Sequence, residues 1–252
     1  MAASERPKAH VSLDQAVQRT IPGRLRGNRL DVKRHSRVYA TLRGLRKAIE
    51  AIIAEDLPAR PSLTLLDYGC GNMPYRSLFE AGGVRYQGAD LPGNEMAEVL
   101  IRPDGRVDVP DQSCDVVLST QVLEHVVSPK TYLDECRRLL RPGGRVIVST
   151  HGYWWYHPDP TDFWRWTGDG LRRQIEEAGF RIVSARGVVG LAGAGLQLLQ
   201  DAVFVHLWAP LRPAFALVMQ SLVQLFDHLH SDKDRRLEAL VLVVVAERFD
   251  GP

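Results

Sequence analysis

In the stretch LLDYGCGNMPY, residues 65–75, Asp67 stands two residues ahead of Gly69 and four ahead of Gly71, at the end of an apolar run. Glycines at those two positions let a backbone turn sharply and approach a ligand closely, since neither carries a Cβ. A carboxylate at the same turn disfavours a pyrophosphate and favours a cation. The third glycine of a dinucleotide fingerprint would fall at Pro74, and proline fits a first helical turn but not the close helix–strand contact a glycine permits. Asp90 closes the next apolar run about twenty residues later, where an acidic side chain can accept hydrogen bonds from both hydroxyls of a ribose. Together these residues describe a ligand with an adenosine part and a positive end.

A second group follows in THGYWWYHPDPTDFWRWTGDGL, which crowds His151, Tyr153, Trp154, Trp155, His157, Asp159, Asp162, Trp164, Arg165 and Trp166 together. Singly, these have ordinary explanations: aromatics packing under a long loop, Asp162 capping a helix, Arg165 pairing with it. As a cluster they describe a substrate wall made by Tyr153, Trp154, Trp155, Trp164 and Arg165. A histidine can take a proton near neutral pH, and a neighbouring carboxylate can fix its tautomer, so His157 with Asp162 as its orienter is the first choice of general base. His151 is the second, and His125 reads as structural. The spacing of His151, His157, Asp159 and Asp162 matches no metal motif, so no metal is expected.

Both groups need a scaffold. LTLLDYG, VRYQGAD, CDVVLST, GRVIVST and FRIVSAR are short apolar or β-branched runs, separated in several places by helical patterns such as PKTYLDECRRLL and DGLRRQIEEAGF. That alternation implies a mostly parallel sheet with helices on both faces, whose ligands bind beyond the carboxyl ends of the strands. Ser128 and Pro129 mark a helix start, Pro142-Gly143-Gly144 a break into a strand, and Gly179 a left-handed helix cap. A composition 45% hydrophobic and 25% charged over 252 residues suits one large α/β domain with additions. No apolar run reaches the ~18 uncharged residues of a spanning helix, and MAASERPKAH lacks a signal-peptide core, which points to the cytoplasm. Cys70, Cys114 and Cys136 are too few and too irregularly spaced for a disulfide framework, and read as reduced thiols in or near the core.

Asp67-x-Gly69-x-Gly71 resembles the first motif of the class I S-adenosylmethionine-dependent methyltransferases, whose cofactor has no phosphate and carries an ammonium and a sulfonium. VDVPDQSCDVVLSTQVLEHVVSPKTYLDECRRLLRPGGRVIVST resembles the middle of the methyltransferase domain of small-molecule and glycan enzymes. The family pattern has a further glycine where this chain has Met73. The resemblance implies a Rossmann-like seven-stranded, mostly parallel sheet with its last strand antiparallel, and ALVLVVVAERF as that strand. It implies S-adenosylmethionine as cofactor, contacted by Asp67, Gly69, Cys70, Gly71, Asp90 and Leu91. It also places Asp104 and Gly105 against adenine and Gln121 beside the methionine moiety, and gives Asp115 the role of anchoring its strand. The activity expected is methyl transfer to an oxygen of a small molecule or glycan. The alternatives are a non-catalytic protein of the same fold and an RNA methyltransferase. Nucleic acid is the lesser reading, because the chain lacks the Asn/Asp-Pro-Pro-aromatic motif of amino-group methyltransferases.

Two segments flank this core. Residues 1–58 form a basic arm: the first 60 residues hold 13 Lys and Arg against 6 Asp and Glu, and Val38, Leu42, Leu45, Ile49 and Ile52 make one apolar face on a helix ending near Glu55. Residues 59–252 form the methyltransferase domain, with an apolar insertion at about 190–230 that reads as two helices broken at Pro210 and Pro213. For the insertion, a lid over the substrate or a homodimer face is favoured over a membrane-surface helix pair.

Overall fold

The computed structural model of the protein describes residues 29–58, 60, 62–158 and 161–251. The part of the basic arm ahead of Arg29, and Asp159 of the aromatic segment, lie outside them. Seven strands form one sheet in the order β3-β2-β1-β4-β5-β7-β6: β1 (Thr64–Tyr68), β2 (Arg85–Asp90), β3 (Val99–Leu100), β4 (Cys114–Thr120), β5 (Leu140–His151), β6 (Phe180–Gly190) and β7 (Ala239–Arg248). Six strands run parallel, and β7 runs antiparallel between β5 and β6. Every residue of β4 is buried, as are the first eight of β7, which is why β7 reads as an unbroken apolar run rather than an alternating one.

Helices cover both faces. α1 (Tyr39–Glu55) buries Leu45, Ile49 and Ile52 in the same core as β1, and its Gly44 lets it sit hard on β6, since a Cβ there would lie 2.5 Å from Val188 Cγ1. α2 (Arg76–Ala81) is a short turn after the glycine segment. α3 (Pro129–Leu139) begins as the sequence implies, with Ser128 Oγ accepting the Thr131 N–H at 3.2 Å and Pro129 in the first turn. α4 (Gly168–Glu177) is followed by Gly179 at φ 83°, the left-handed position that favours glycine.

Between β6 and β7 the chain forms α5 (Leu191–Phe204), a 3₁₀ turn (Ala209–Leu211), α6 (Arg212–Asp227) and α7 (Asp232–Leu237). The three cysteines are buried and unpaired. At the amino end of β4, Asp115 accepts hydrogen bonds from Thr64 N–H, Arg60 and Arg141. Burial pushes its carboxyl up, but these donors outweigh it and hold it below the usual range, so Asp115 anchors its strand far from the ligand edge.

Candidate active site

The turn after β1 is bound to the end of β2. Gly69 and Cys70 both donate backbone N–H groups to the Ala89 carbonyl, at 2.9 and 3.0 Å. Gly69 adopts φ 85° and Gly71 φ 52°, and Met73, where the family pattern has glycine, adopts φ 49°. The left-handed turn therefore survives without its third glycine, at the cost of backbone strain at Met73. Its side chain is buried against Gly88, which leaves no room for a Cβ of its own.

Asp67 is fully buried. Tyr86 donates its hydroxyl to one carboxylate oxygen, while Oδ1 has no hydrogen-bond partner among the described residues. Burial raises the Asp67 pKa to about 7; Tyr86 opposes the rise, Asp90 adds to it, and Arg29 opposes it again. A buried carboxylate with one bare oxygen fits a ligand ammonium. Arg29 lines the cleft over this turn together with Gly69, Gly71, Asn72 and Thr120, so a cationic side chain stands beside the buried carboxylate. No motif in the sequence marks Arg29; it is simply one of the arm's many cations.

The other expected ligand residues lie along the same edge. Asp90 accepts N–H bonds from Gly71 (2.9 Å) and Leu91 (2.8 Å) and one from the Asn94 amide (2.7 Å), which ties the first turn to the second. Asp104 is exposed and accepts the Arg106 N–H at 3.0 Å. Gly105 turns at φ 88° and its carbonyl accepts the Tyr68 hydroxyl, which draws this loop to the end of β1. Gln121, just past β4, adopts φ 58°, donates its N–H to the Ser149 carbonyl and bonds Ser149 Oγ through its amide at 3.1 Å.

The aromatic segment leaves β5 beside this edge. Arg165 holds it in shape: its guanidinium forks onto Asp162 with two contacts of 2.6 Å and donates to the carbonyls of Trp154, Trp155 and Trp164. All five N–H donors of a guanidinium are thereby used inside the protein. Asp162 also accepts the backbone N–H of His157 at 2.6 Å. The carboxylate thus fixes the loop backbone under His157, and Arg165 braces the wall from behind. Burial pushes the Asp162 carboxyl up, but Arg165 and that N–H outweigh it and keep it ionised.

Rings stack along the segment: His151 on Trp154 (4.6 Å between centroids), Trp154 on Trp155 (4.3 Å), and Trp164 on Trp166 (5.8 Å). Tyr153 is directed to Glu238, with its hydroxyl 3.0 Å from that carboxylate. Three imidazoles meet at His157, whose ring centre is 5.8 Å from His125 and 6.2 Å from His151. His157 is half-buried, whereas His151 is buried and burial depresses its pKa to about 2, so His151 is neutral across the physiological range.

Glu124 has no exposed surface and lies behind these rings. It accepts the Thr150 hydroxyl at 2.8 Å, and its other oxygen is 3.4 Å from His151 Nε2. Burial lifts its pKa to about 7. The sequence brings Leu-Glu-His to notice but gives Glu124 no role, because the residues it meets come from β5 and the aromatic loop.

Comparison with known proteins gives the family of the chain. Residues 38–185 match the family described as a methyltransferase domain. A probable S-adenosylmethionine-dependent methyltransferase of Mycolicibacterium smegmatis is 31% identical over 71% of this chain and 69% of its own length. A ubiquinone biosynthesis O-methyltransferase of Cereibacter sphaeroides is 38% identical over 35% of this chain, and the match spans 41% of that protein. The chain thus spans about two fifths of the length of several curated relatives it matches. Among solved structures, the 1,6-didemethyltoxoflavin-N1-methyltransferase of Burkholderia thailandensis, with bound 1,6-didemethyltoxoflavin and S-adenosylhomocysteine, superposes at a TM-score of 0.51. It is 19% identical, with 82% of this chain and 79% of that one covered, a likeness of fold.

Proposed function

The chain belongs to the S-adenosylmethionine-dependent methyltransferases, and from that premise we propose that it methylates an oxygen of a small molecule or glycan. The observation that carries the acceptor side is the half-buried imidazole of His157, set in an aromatic wall at the carboxyl end of β5. S-adenosylmethionine, when bound, supplies a methyl group on a sulfonium that is already a good leaving group. The chain's own residues bind and align. Asp67 holds the ammonium, Arg29 takes the carboxylate of the same aminoacyl end, and Asp90 holds the ribose hydroxyls. Leu91, Asp104 and Gly105 bound the base, and Gln121, Gly69, Cys70 and Gly71 close the methionine side.

On the acceptor side, Trp154, Trp155, Trp164 and Tyr153 form the wall and exclude water. His157 takes the hydroxyl proton on a ring nitrogen as the new bond forms. Asp162 and Arg165 position the backbone that presents it, and His151, neutral and stacked on Trp154, supports the ring cluster rather than carrying charge. This reading is supported by the half-buried position of His157, whose ring centre lies 6.3 Å from that of Trp155. Incubating extracts with purified protein and methyl-labelled S-adenosylmethionine, followed by mass spectrometry, identifies the acceptor. Label on an oxygen is expected, and label on nitrogen or carbon overturns the O-methyl assignment. With that acceptor, His157→Gln should lower kcat by ~10²–10⁴ with little change in cofactor affinity. Near-normal turnover in the variant would mean that alignment alone suffices.

A further inference from the structure

The helix pair between β6 and β7 is built inside out for an element surrounded by water. α5 buries Gly193, Ala194, Gln197, Gln200 and Asp201, and α6 buries Ala216, Met219, Gln220 and Val223. Six bulky apolar side chains face away: Leu199, Val203, Leu217, Val218, Leu225 and Phe226 are exposed, from 37% at Val203 to 63% at Leu225. The polar groups meet within. Gln197, Gln200 and Gln220 all reach the Arg37 carbonyl, at 2.9, 2.7 and 2.9 Å, and Gln220 accepts the Ala40 N–H at 2.8 Å. Helices that associate in lipid use small residues and side-chain hydrogen bonds at their contact and leave apolar side chains outside, because lipid offers no hydrophobic drive between them.

Two outward polar side chains are satisfied within the chain. Ser221 donates its hydroxyl to the Leu217 carbonyl at 2.8 Å. At the tip, Arg212 donates to the carbonyls of Leu207 (3.1 Å) and Val205 (3.4 Å) and lies over the Phe204 ring. The carbonyls freed where α5 ends therefore find a donor inside the chain, as a water-poor medium requires. From Pro213 to Phe226 there is no ionisable residue. On α6, Leu217, Val218, Leu225 and Phe226 spread over roughly 180° of the circumference at about 100° per residue, wider than the stripe one partner helix would cover.

The hairpin cannot cross a bilayer. α5 and α6 have 14 and 16 residues, and no described helix is long and apolar enough to span. A cation borders its face instead: Arg43 of α1 donates to Gln224 of α6 at 2.9 Å, Lys47 lies four residues on along the same helix, and it and Lys33 and Arg34 ahead of the helix are exposed. We propose that the α5–α6 hairpin docks on the surface of an anionic phospholipid bilayer, with its apolar face at the acyl boundary and the cations around α1 on the headgroups. Arg37, 5.1 Å from the Trp155 ring and 5.8 Å from that of Phe204, then sets the aromatic wall beside the docked hairpin.

Flotation of the intact protein with phosphatidylcholine vesicles containing about 30% phosphatidylglycerol, against pure phosphatidylcholine, tests this. Binding to the anionic vesicles should be at least ~10-fold stronger. The double variant Leu217→Asp/Leu225→Asp, at exposed positions, should lose ~10-fold or more of that binding while keeping its melting temperature and S-adenosylmethionine affinity. Arg43→Glu/Lys47→Glu should abolish the preference for phosphatidylglycerol. The proposal is overturned if the intact protein does not float with anionic vesicles, or if the Asp variant binds them undiminished. It is overturned equally if the lipid-free protein sediments as a dimer that the Asp variant converts to monomer, which would make the face an interface between two copies.

Discussion

Two buried carboxyls, Asp67 and Glu124, are both lifted to about 7 by burial, and they should be separable by pH. Each is raised above its unfolded value, so each contributes stability that is fully present near pH 4 and is lost as pH rises through 7. Only Asp67 faces the glycine turn proposed to hold the cofactor, and only its ionised form attracts an ammonium. S-adenosylmethionine affinity should therefore rise between pH 6 and 8. Asp67→Asn should flatten that rise and weaken binding by about 1.5–3 kcal/mol, the worth of a hydrogen bond to a charged group, as calorimetry across pH would show. Glu124→Gln should leave cofactor affinity and its pH dependence alone. It should, however, remove part of the stability loss seen in urea titrations between pH 5 and 8. If the two variants behave alike, the pH response belongs to the fold and not to the turn.

The glycine turn offers the sharpest contrast among the elements. A Cβ on Gly69 would lie 2.7 Å from Val122 Cγ2, at φ 85°, whereas one on Gly71 at φ 52° meets nothing within 4 Å. Gly69→Ala should cost more than about 2 kcal/mol of stability, through overpacking and backbone strain together. Gly71→Ala should cost about 1 kcal/mol, the left-handed penalty alone. Urea unfolding of the two variants measures the difference. That turn was legible in the sequence because glycine spacing is a local property, and so were the Ser128–Pro129 helix start, the Gly179 cap and the apolar run of β7. What could not be read is what needs partners from distant segments. Arg29 reaches the cleft only because the chain before α1 passes over it. Arg165 looks like a wall residue until its donors are counted against Asp162 and three carbonyls. The α5–α6 pair announces two apolar helices, yet which side faces in depends on where Arg37 and Ala40 lie.

At the scale of the whole molecule, the three glutamines join the hairpin to the start of α1, and through Arg37 to the aromatic wall. Gln220→Leu should leave the Ala40 N–H without its acceptor and cost about 1–3 kcal/mol. It should also loosen hydrogen-exchange protection at both α1 and α5, where an independent hairpin would change alone. The position of β7 has a consequence in time. It pairs with β5 from Arg145 to His151 and with β6 from Phe180 to Gly190, yet it leaves the ribosome after every other strand. Until residues 239–248 emerge, β5 and β6 have no neighbour to bridge them, and both present open edges while the apolar hairpin is already outside. Such edges are templates for pairing with other chains. The nascent domain is thus most exposed to aggregation before β7 emerges, and loss of β7 leaves the β6 segment without the strand that joins it to the sheet.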